Sequence, residues 1–126
     1  MIVLDASAMI AVLDDRDAHH AAAVDVMTRE AQQTFLSHRL TLSEALVRGV
    51  SQGRGEEAAA ALAAMGIEPI DTLDDPLELA DLRHRSRLRM PDTCVLFAAI
   101  RARAQLVTFD AKLSDAAERF GVRSIR

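Results

Sequence analysis

Four acidic residues stand where an α/β chain commonly presents its chemistry. Asp5 and Asp110 each directly follow a short apolar run, and Glu44 and Asp92 lie near the starts of predicted helices. Ligands of an open parallel sheet bind at the carboxyl ends of the strands, so we expect the four side chains to share one crevice. Clustered carboxylates repel one another unless a cation is bound, and Mg²⁺ prefers such oxygen ligands. This pattern predicts metal-assisted hydrolysis, because a bound ion activates water and holds a phosphate for in-line attack.

Each acid taken alone also has a structural explanation. An Asp that follows a strand is commonly a turn or helix-capping residue. Thr41 to Glu44 has the spacing of a capping box, in which the Glu side chain returns to the N-cap amide. Asp92 lies in the first turn of its predicted helix, where the helix dipole favours an anion. The functional prediction therefore depends on the four acids together.

The hydrophobic pattern predicts strands that alternate with helices. Ser7, Asp17 and Thr41 are the expected openings of the first three helices, and Asp75-Pro76 opens a later one. Strands are expected at 2–4, 34–36, 67–70, 105–109 and 122–125, and helices at about 7–13, 17–31, 41–50, 56–64, 75–88, 91–104 and 113–120. This alternation is typical of a three-layer α/β/α sandwich around a mainly parallel sheet. Pro69 indicates an edge strand, and we expect residues 1–126 to form a single domain.

The segments that carry the acids occur in an order found in a known family. They are IVLDAS at 2–7, TLSE at 41–44, MPD at 90–92 and LVTFD at 106–110. Together they resemble the PIN-domain ribonucleases, and most closely the VapC toxins of bacterial toxin–antitoxin pairs. The resemblance covers nearly the whole chain, and the ordered set is more specific than any one segment.

The resemblance implies a PIN-like fold and a role for each acid. Asp5 and Asp92 match the principal metal-binding acids, Glu44 matches the third acid and Asp110 matches the more variable fourth. Asp115 is also near, but we favour Asp110 because it directly follows the strand. The resemblance further implies an endoribonuclease toxin that hydrolyses RNA with Mg²⁺ or Mn²⁺ and an activated water. Its implied partners are an RNA substrate, a second copy in a homodimer and a small VapB-like antitoxin that covers the active site.

Two groups of neighbouring residues are expected to support the site. Ser7 and Thr108 each lie two residues from an acid, so their hydroxyls are placed to orient a ligand or water, with helix capping the commoner explanation for Ser7. The densest basic stretch is expected either to contact RNA phosphates or to form a solvated, ion-paired surface. Its members are Arg83, Arg85, Arg87, Arg89, Arg101 and Arg103.

Composition limits the classes of function and location. The 126 residues include 19 acidic and 15 basic side chains, a net charge of −4, so a nucleic-acid site must be local. The single cysteine, Cys94, precludes an intramolecular disulfide and fits a cytoplasmic protein. The pattern predicts neither a secretory signal nor a membrane span. With no Trp or Tyr and four Phe, an aromatic platform for stacked bases is not expected.

Two other functions compete with the nuclease prediction. A catalytically idle PIN-like binding module would keep the fold while binding metal poorly. An Asp-based phosphotransfer domain would also place Asp5 after a strand. Phosphatases of the haloacid dehalogenase type have a second Asp two residues later, however, and this chain has Ser7 there.

Overall fold

Short apolar runs form the sheet of this protein, because each is buried between layers of helices. The computed structural model describes residues 1–70 and 74–126. The elements in this range are β1 (Ile2–Leu4), α1 (Ala6–Leu13), α2 (His20–Arg29), β2 (Phe35–His38), α3 (Arg39–Ser51), α4 (Gly55–Ala64), β3 (Ile67–Ile70), α5 (Pro76–Ser86), α6 (Met90–Ala102), β4 (Gln105–Val107), α7 (Ala111–Arg119) and β5 (Ser124–Ile125).

The five strands form one sheet in the order β3-β2-β1-β4-β5, and every described pair is parallel. The central strand β1 pairs with β2 through Ile2 and Phe35, and with β4 through Val3 and Leu106. Strand β3 lies at an edge, as Pro69 predicts, because an edge strand tolerates a residue without an N–H. The carboxyl ends of β1, β2 and β4 therefore meet at one edge of the sheet.

Alternate residues of the strands face two separate helical layers. Val3 and Leu106 pack with apolar residues of α5, α6 and α7. Ile2, Leu4 and Val107 pack on the opposite face, with residues of α1 to α4. Since neighbouring side chains of a strand point to opposite faces, burial on both sides requires a continuous apolar run. The predicted three-layer α/β/α sandwich is confirmed.

The first helix begins differently from the prediction. Asp5, and not Ser7, is the N-cap of α1, and its Oδ1 accepts a hydrogen bond of 2.8 Å from the Ala8 amide. Strand β1 ends at Leu4 and the helix starts at Ala6, so the single residue between them takes the capping position. Ser7 lies inside the helix, which leaves its hydroxyl available for another role.

Two further helix openings were wrong for similar reasons. Strand β2 continues to His38, whose Nδ1 caps α3 by accepting from the Leu40 amide at 3.1 Å, so Thr41 is buried inside the helix. Asp17 lies in a turn, where its Oδ1 accepts a hydrogen bond of 2.8 Å from the His19 amide, and α2 begins only after that turn. In both places the tertiary structure determines where the helix starts, and this is not at the residue whose side chain is the best capping group in the local sequence.

The residue that ends α5 allows a prediction about stability. Arg87 closes α5 in the left-handed conformation with φ of 62°, where glycine avoids the clash of a Cβ atom. We predict that Arg87→Gly raises the free energy of unfolding by roughly 0.5–1 kcal/mol. Arg83→Gly, inside the same helix, should lower it by about 1 kcal/mol. Urea denaturation measures both, and equal destabilisation by the two variants would contradict the prediction.

Candidate active site

Asp5 is a buried carboxylate at the end of the central strand. The residue is 4% exposed, and three groups donate hydrogen bonds to it. The Ala8 amide donates to Oδ1 at 2.8 Å, the Thr108 hydroxyl donates to Oδ2 at 2.5 Å, and the Ser7 hydroxyl lies 2.7 and 2.9 Å from the two oxygens. Burial raises the pKa of Asp5, the three hydrogen bonds oppose that rise, and the charge of Asp92 adds to it. The net pKa is raised.

This hydrogen bonding leaves Asp5 able to accept one more partner. A carboxylate offers about four acceptor positions, and the Ala8 amide, Ser7 and Thr108 provide one hydrogen each. Its orientation is thus fixed while one lone pair remains available for a cation or a water molecule.

Backbone amides in turn fix the two hydroxyls that hold Asp5. Ser7 Oγ accepts a hydrogen bond of 3.1 Å from the Phe109 amide, and Thr108 Oγ1 accepts one of 3.0 Å from the Asp110 amide. Because each hydroxyl accepts from the backbone, its own hydrogen is directed to the carboxylate. Both predicted supporting residues therefore orient Asp5, and Ser7 has this role in place of helix capping.

Asp110 lies beside this network and opens α7. Its Oδ1 caps the helix by accepting from the Leu113 amide at 2.9 Å, and the residue is exposed. The charge of Asp110 raises the pKa of Asp92, so the two carboxylates lie near each other. Asp115 lies farther along α7, exposed to solvent. These positions favour Asp110 over Asp115 as the fourth acid of the cluster.

Glu44 and Asp92 complete the acidic cluster from two other helices. Partial burial raises the pKa of each carboxyl, and the charge of Asp92 adds to the rise at Glu44, as does that of Asp5. The capping box expected for Glu44 does not form, since α3 begins at Arg39 and not after Thr41. Asp92 does lie in the first turn of α6, as predicted. The structure thus brings the four predicted acids to one edge of the sheet.

Two cationic residues flank the acids. The charge of Arg89, the N-cap of α6, lowers the pKa of Glu44 and Asp92, and Lys112 in the first turn of α7 lowers that of Asp92. Arg89 belongs to the basic stretch that the sequence predicts, whereas Lys112 has no predicted role. The available signal was its spacing, because a residue two positions after a helix cap lies in the first turn.

The other predicted arginines lie on α5 and α6 or at their ends. Arg85 pairs with Asp81 at 3.2 Å and lies 5.1 Å from the Phe120 ring centre, and Arg101 lies over Phe97. Arg83 is exposed on α5, and Arg87 and Arg103 close the two helices. Within the described part of the chain, Arg89 is the member of this group whose charge acts on the acids. The ion-paired surface explanation therefore suits Arg85.

The donor set suits a hard divalent cation, although the side chains do not enclose one. Among residues 1–70 and 74–126, no three His, Cys, Asp or Glu side chains are arranged as a ready metal site. Beside burial, the charges of Asp5, Asp92 and Asp110 nevertheless each add to the raised pKa of a neighbouring acid, and the donor atoms of all four acids are carboxylate oxygens. Both observations fit Mg²⁺, which keeps several waters and needs few direct protein ligands.

Known structures show how widely this fold is shared. The VapBC2 complex of Rickettsia felis, bound to a DNA fragment from its promoter, matches with a TM-score of 0.69 and 18% identity over 99% of this chain and 98% of that chain. VapC20 of Mycobacterium tuberculosis, a toxin that cleaves the sarcin–ricin loop, matches at 0.58 and 21% identity over 92% and 95%. FitAcB of Neisseria gonorrhoeae matches at 0.63 and 16% over 100% and 97%. No curated protein sequence matches the chain.

The fold and the edge of the sheet that carries Asp5, Glu44, Asp92 and Asp110 (the acidic edge) define an α/β/α protein with a carboxylate-lined site. The PIN domain family model matches residues 2–119, and the chain therefore belongs to the PIN domain family. This confirms the family and fold that the four sequence segments predict. The solved structures, each below 25% identity, show the same fold.

The raised pKa values predict how charge removal affects stability. A carboxyl whose pKa is raised on folding binds more protons in the folded state, so stability falls as pH rises from its ordinary pKa through the raised value. We predict that Glu44→Gln raises the free energy of unfolding at pH 7, by less than about 1 kcal/mol because Glu44 is exposed. The gain should shrink as pH falls toward 4.5, the ordinary pKa of Glu.

Thermal unfolding in EDTA at both pH values measures this effect. Asp115→Asn, which removes one charge from the exposed side of α7, is the matched control. A Glu44→Gln protein that is less stable than the wild type at pH 7, or equally stabilised at both pH values, would contradict the prediction.

The hydroxyl of Thr108 allows a second test of the site. Thr108→Val removes a hydrogen bond to the ionised form of Asp5, so the pKa of Asp5 should rise further. It also leaves the Asp110 amide without its partner, which should cost about 1–3 kcal/mol of stability. Carbon-detected NMR titration reports the pKa. Thr108→Ser keeps the hydroxyl and should leave the pKa near its wild-type value, and an unchanged pKa in Thr108→Val would rule out the assigned role.

Proposed function

We propose that this chain is a metal-dependent endoribonuclease that hydrolyses RNA phosphodiester bonds and acts as a VapC-type toxin. The observation that carries the proposal is the convergence of Asp5, Glu44, Asp92 and Asp110 from four separate elements, with Asp5 and Asp92 each raising the pKa of another member. Such a cluster is unfavourable for folding without a cation. Membership of the PIN domain family supports the same conclusion.

Asp5, Asp92, Glu44 and Asp110 are the residues proposed to hold Mg²⁺ or Mn²⁺. The ion would supply a bound water of lowered pKa and neutralise charge on the phosphate. Ser7 and Thr108 keep the Asp5 carboxylate in a single orientation.

Arg89 and Lys112 are proposed to attract the RNA backbone. They lie at the N-terminal ends of α6 and α7, where the helix dipoles also favour phosphate. Their charges reduce the repulsion that the acids would otherwise exert on RNA.

A second copy of the chain and a VapB-like antitoxin are the proposed protein partners. The names of two matched structures, VapBC2 and FitAcB, support an antitoxin as a partner of this chain. The surface of the protein also offers exposed apolar side chains for contact with a partner. Val47 and Val50 on α3 are 64% and 65% exposed, and Leu77 on α5 is 76% exposed. Within the described residues no helix has the length and hydropathy needed to cross a membrane. We propose a cytoplasmic location, because an RNA substrate and a single cysteine both fit that compartment.

Cleavage of RNA tests the central activity. Purified protein with Mg²⁺ or Mn²⁺ should cut cellular RNA at defined sites, seen by sequencing the new 5′ ends. Asp5→Asn, Asp92→Asn and Asp110→Asn should each reduce the rate by at least about 100-fold, since each removes charge from the metal site. Asp115→Asn should keep the activity. Cleavage that survives both EDTA and Asp5→Asn would contradict the proposal.

Binding of the ion is tested separately from cleavage. Because a ligand that binds the folded state stabilises it, Mn²⁺ should raise the Tm of the wild type in a concentration-dependent way. Asp92→Asn should lose most of this rise, and Asp115→Asn should retain it. A wild type whose Tm does not respond to Mn²⁺ would favour the idle binding module.

The phosphotransfer alternative makes a different prediction for Asp5. Its carboxylate is 4% exposed and accepts three hydrogen bonds, so in-line attack on a phosphoryl donor is hindered. Incubation with acetyl phosphate should therefore leave Asp5 unmodified by intact-mass analysis. Stable phosphorylation of Asp5 would instead favour the phosphotransfer function.

A further inference from the structure

The residue that directly precedes Asp110 belongs to an aromatic pair whose other member is exposed. The rings of His19 and Phe109 are stacked, with centroids 4.7 Å apart and planes inclined by 5°. Phe109 is partly buried and packs against the core residues Ala11, Val12 and Ala23, whereas His19 is exposed. One face of the imidazole thus lies on Phe109, and the exposed surface of the ring is directed to solvent.

The position of Phe109 in the chain joins this pair to the proposed active site. Phe109 stands between Thr108, which donates to Asp5, and Asp110, which caps α7. Its amide donates to the Ser7 hydroxyl at 3.1 Å, and that hydroxyl donates to Asp5. Phe109 is therefore the direct chain neighbour of Thr108 and Asp110, and it carries the stacked ring of His19.

The backbone around His19 is held in place although the side chain is exposed. The His19 amide donates to Asp17 Oδ1 at 2.8 Å, and its carbonyl accepts from the Ala23 amide at 2.9 Å. The ring of His20 bonds the Ala11 carbonyl at 2.7 Å, which ties the start of α2 to α1. A ring held in this way loses little entropy when a second flat group stacks on it.

We propose that His19, supported by Phe109, is a subsite on which a nucleobase of single-stranded RNA stacks next to the cleaved phosphodiester. This inference rests on the proposed function, since it concerns the substrate of the same site. Unpaired bases stack on aromatic side chains, histidine included, and every base offers a flat face. Backbone phosphates would meanwhile face Arg89 and Lys112. The scarcity of Trp, Tyr and Phe predicts no aromatic platform, but the imidazole of a histidine also offers a flat ring.

Fluorescence of 2-aminopurine provides a direct test, because the base is quenched on stacking. The probes are short single-stranded RNAs in which 2-aminopurine replaces each base in turn. The protein lacks Trp and Tyr, so it contributes little background. All measurements use Asp92→Asn with Mg²⁺, which preserves the chain while preventing cleavage of the probe.

We expect one probe position to be quenched on binding to Asp92→Asn. Adding His19→Ala should remove the quenching and weaken RNA binding about ten-fold. Adding His19→Phe should retain both, since it keeps a flat ring. Adding His84→Ala, which removes an exposed histidine from α5, is the matched control and should change neither. Equal Tm values for His19→Ala and the parent would exclude an effect through folding.

The outcomes separate this inference from the nuclease proposal. RNA that binds by fluorescence anisotropy without quenching, or with quenching that survives His19→Ala, would overturn the stacking subsite while leaving cleavage by the wild type unaffected. Quenching that depends on His19, in a protein whose wild type does not cleave RNA, would support the subsite and overturn the nuclease. A complete absence of RNA binding by Asp92→Asn would overturn the stacking subsite, while the wild-type cleavage assay would still decide the nuclease proposal.

Discussion

The buried carboxylate of Asp5 links the N-terminal and C-terminal parts of the chain through hydrogen bonds. Strand β1 presents it, α1 is capped by it, and Thr108 reaches it across 103 residues of sequence. A buried carboxylate without partners is costly, so Ser7, Thr108 and the Ala8 amide must all be in place before the charge is tolerated. The loop after β4 is then fixed by the same hydroxyls, and with it the start of α7. The Asp5 carboxylate thereby joins the start of α1 to the segment that leads into α7.

The other three acids make the negative charge at this edge of the sheet harder to accommodate. Glu44, Asp92 and Asp110 add negative charge to an edge that already contains Asp5. Burial, together with the resulting repulsion, raises the pKa of Asp5, Glu44 and Asp92. Part of this cost is offset locally, because Asp92 lies at a helix N-terminus and Asp110 is a helix cap. Charge that is unfavourable for the isolated fold is favourable for binding a cation. Under the proposed function, stability and metal binding therefore oppose each other at this edge.

Much of the fold and the positions of the acids could be predicted from local sequence. Apolar runs gave the strands, and acids directly after them lay at the carboxyl edge as expected. The helix caps at Ser7 and Thr41 were wrong because the ends of β1 and β2 determine where each helix starts. The pairing of His19 with Phe109 depends on packing between elements distant in sequence, so no local pattern reports it. The position of Lys112 two residues after the Asp110 cap, by contrast, is a local signal that places it in the first turn of α7.

The acids of the candidate site lie on helices or at their N-caps. Asp5 and Asp110 cap α1 and α7, Glu44 and Asp92 lie on α3 and α6, and the Thr108 hydroxyl comes from the short segment between β4 and α7. The most direct test of the central claim is the anomalous scattering of Mn²⁺ in crystals of the wild-type protein. We expect a strong peak among Asp5, Glu44, Asp92 and Asp110. Crystals at a saturating Mn²⁺ concentration with no peak there, or with a peak elsewhere, would contradict it.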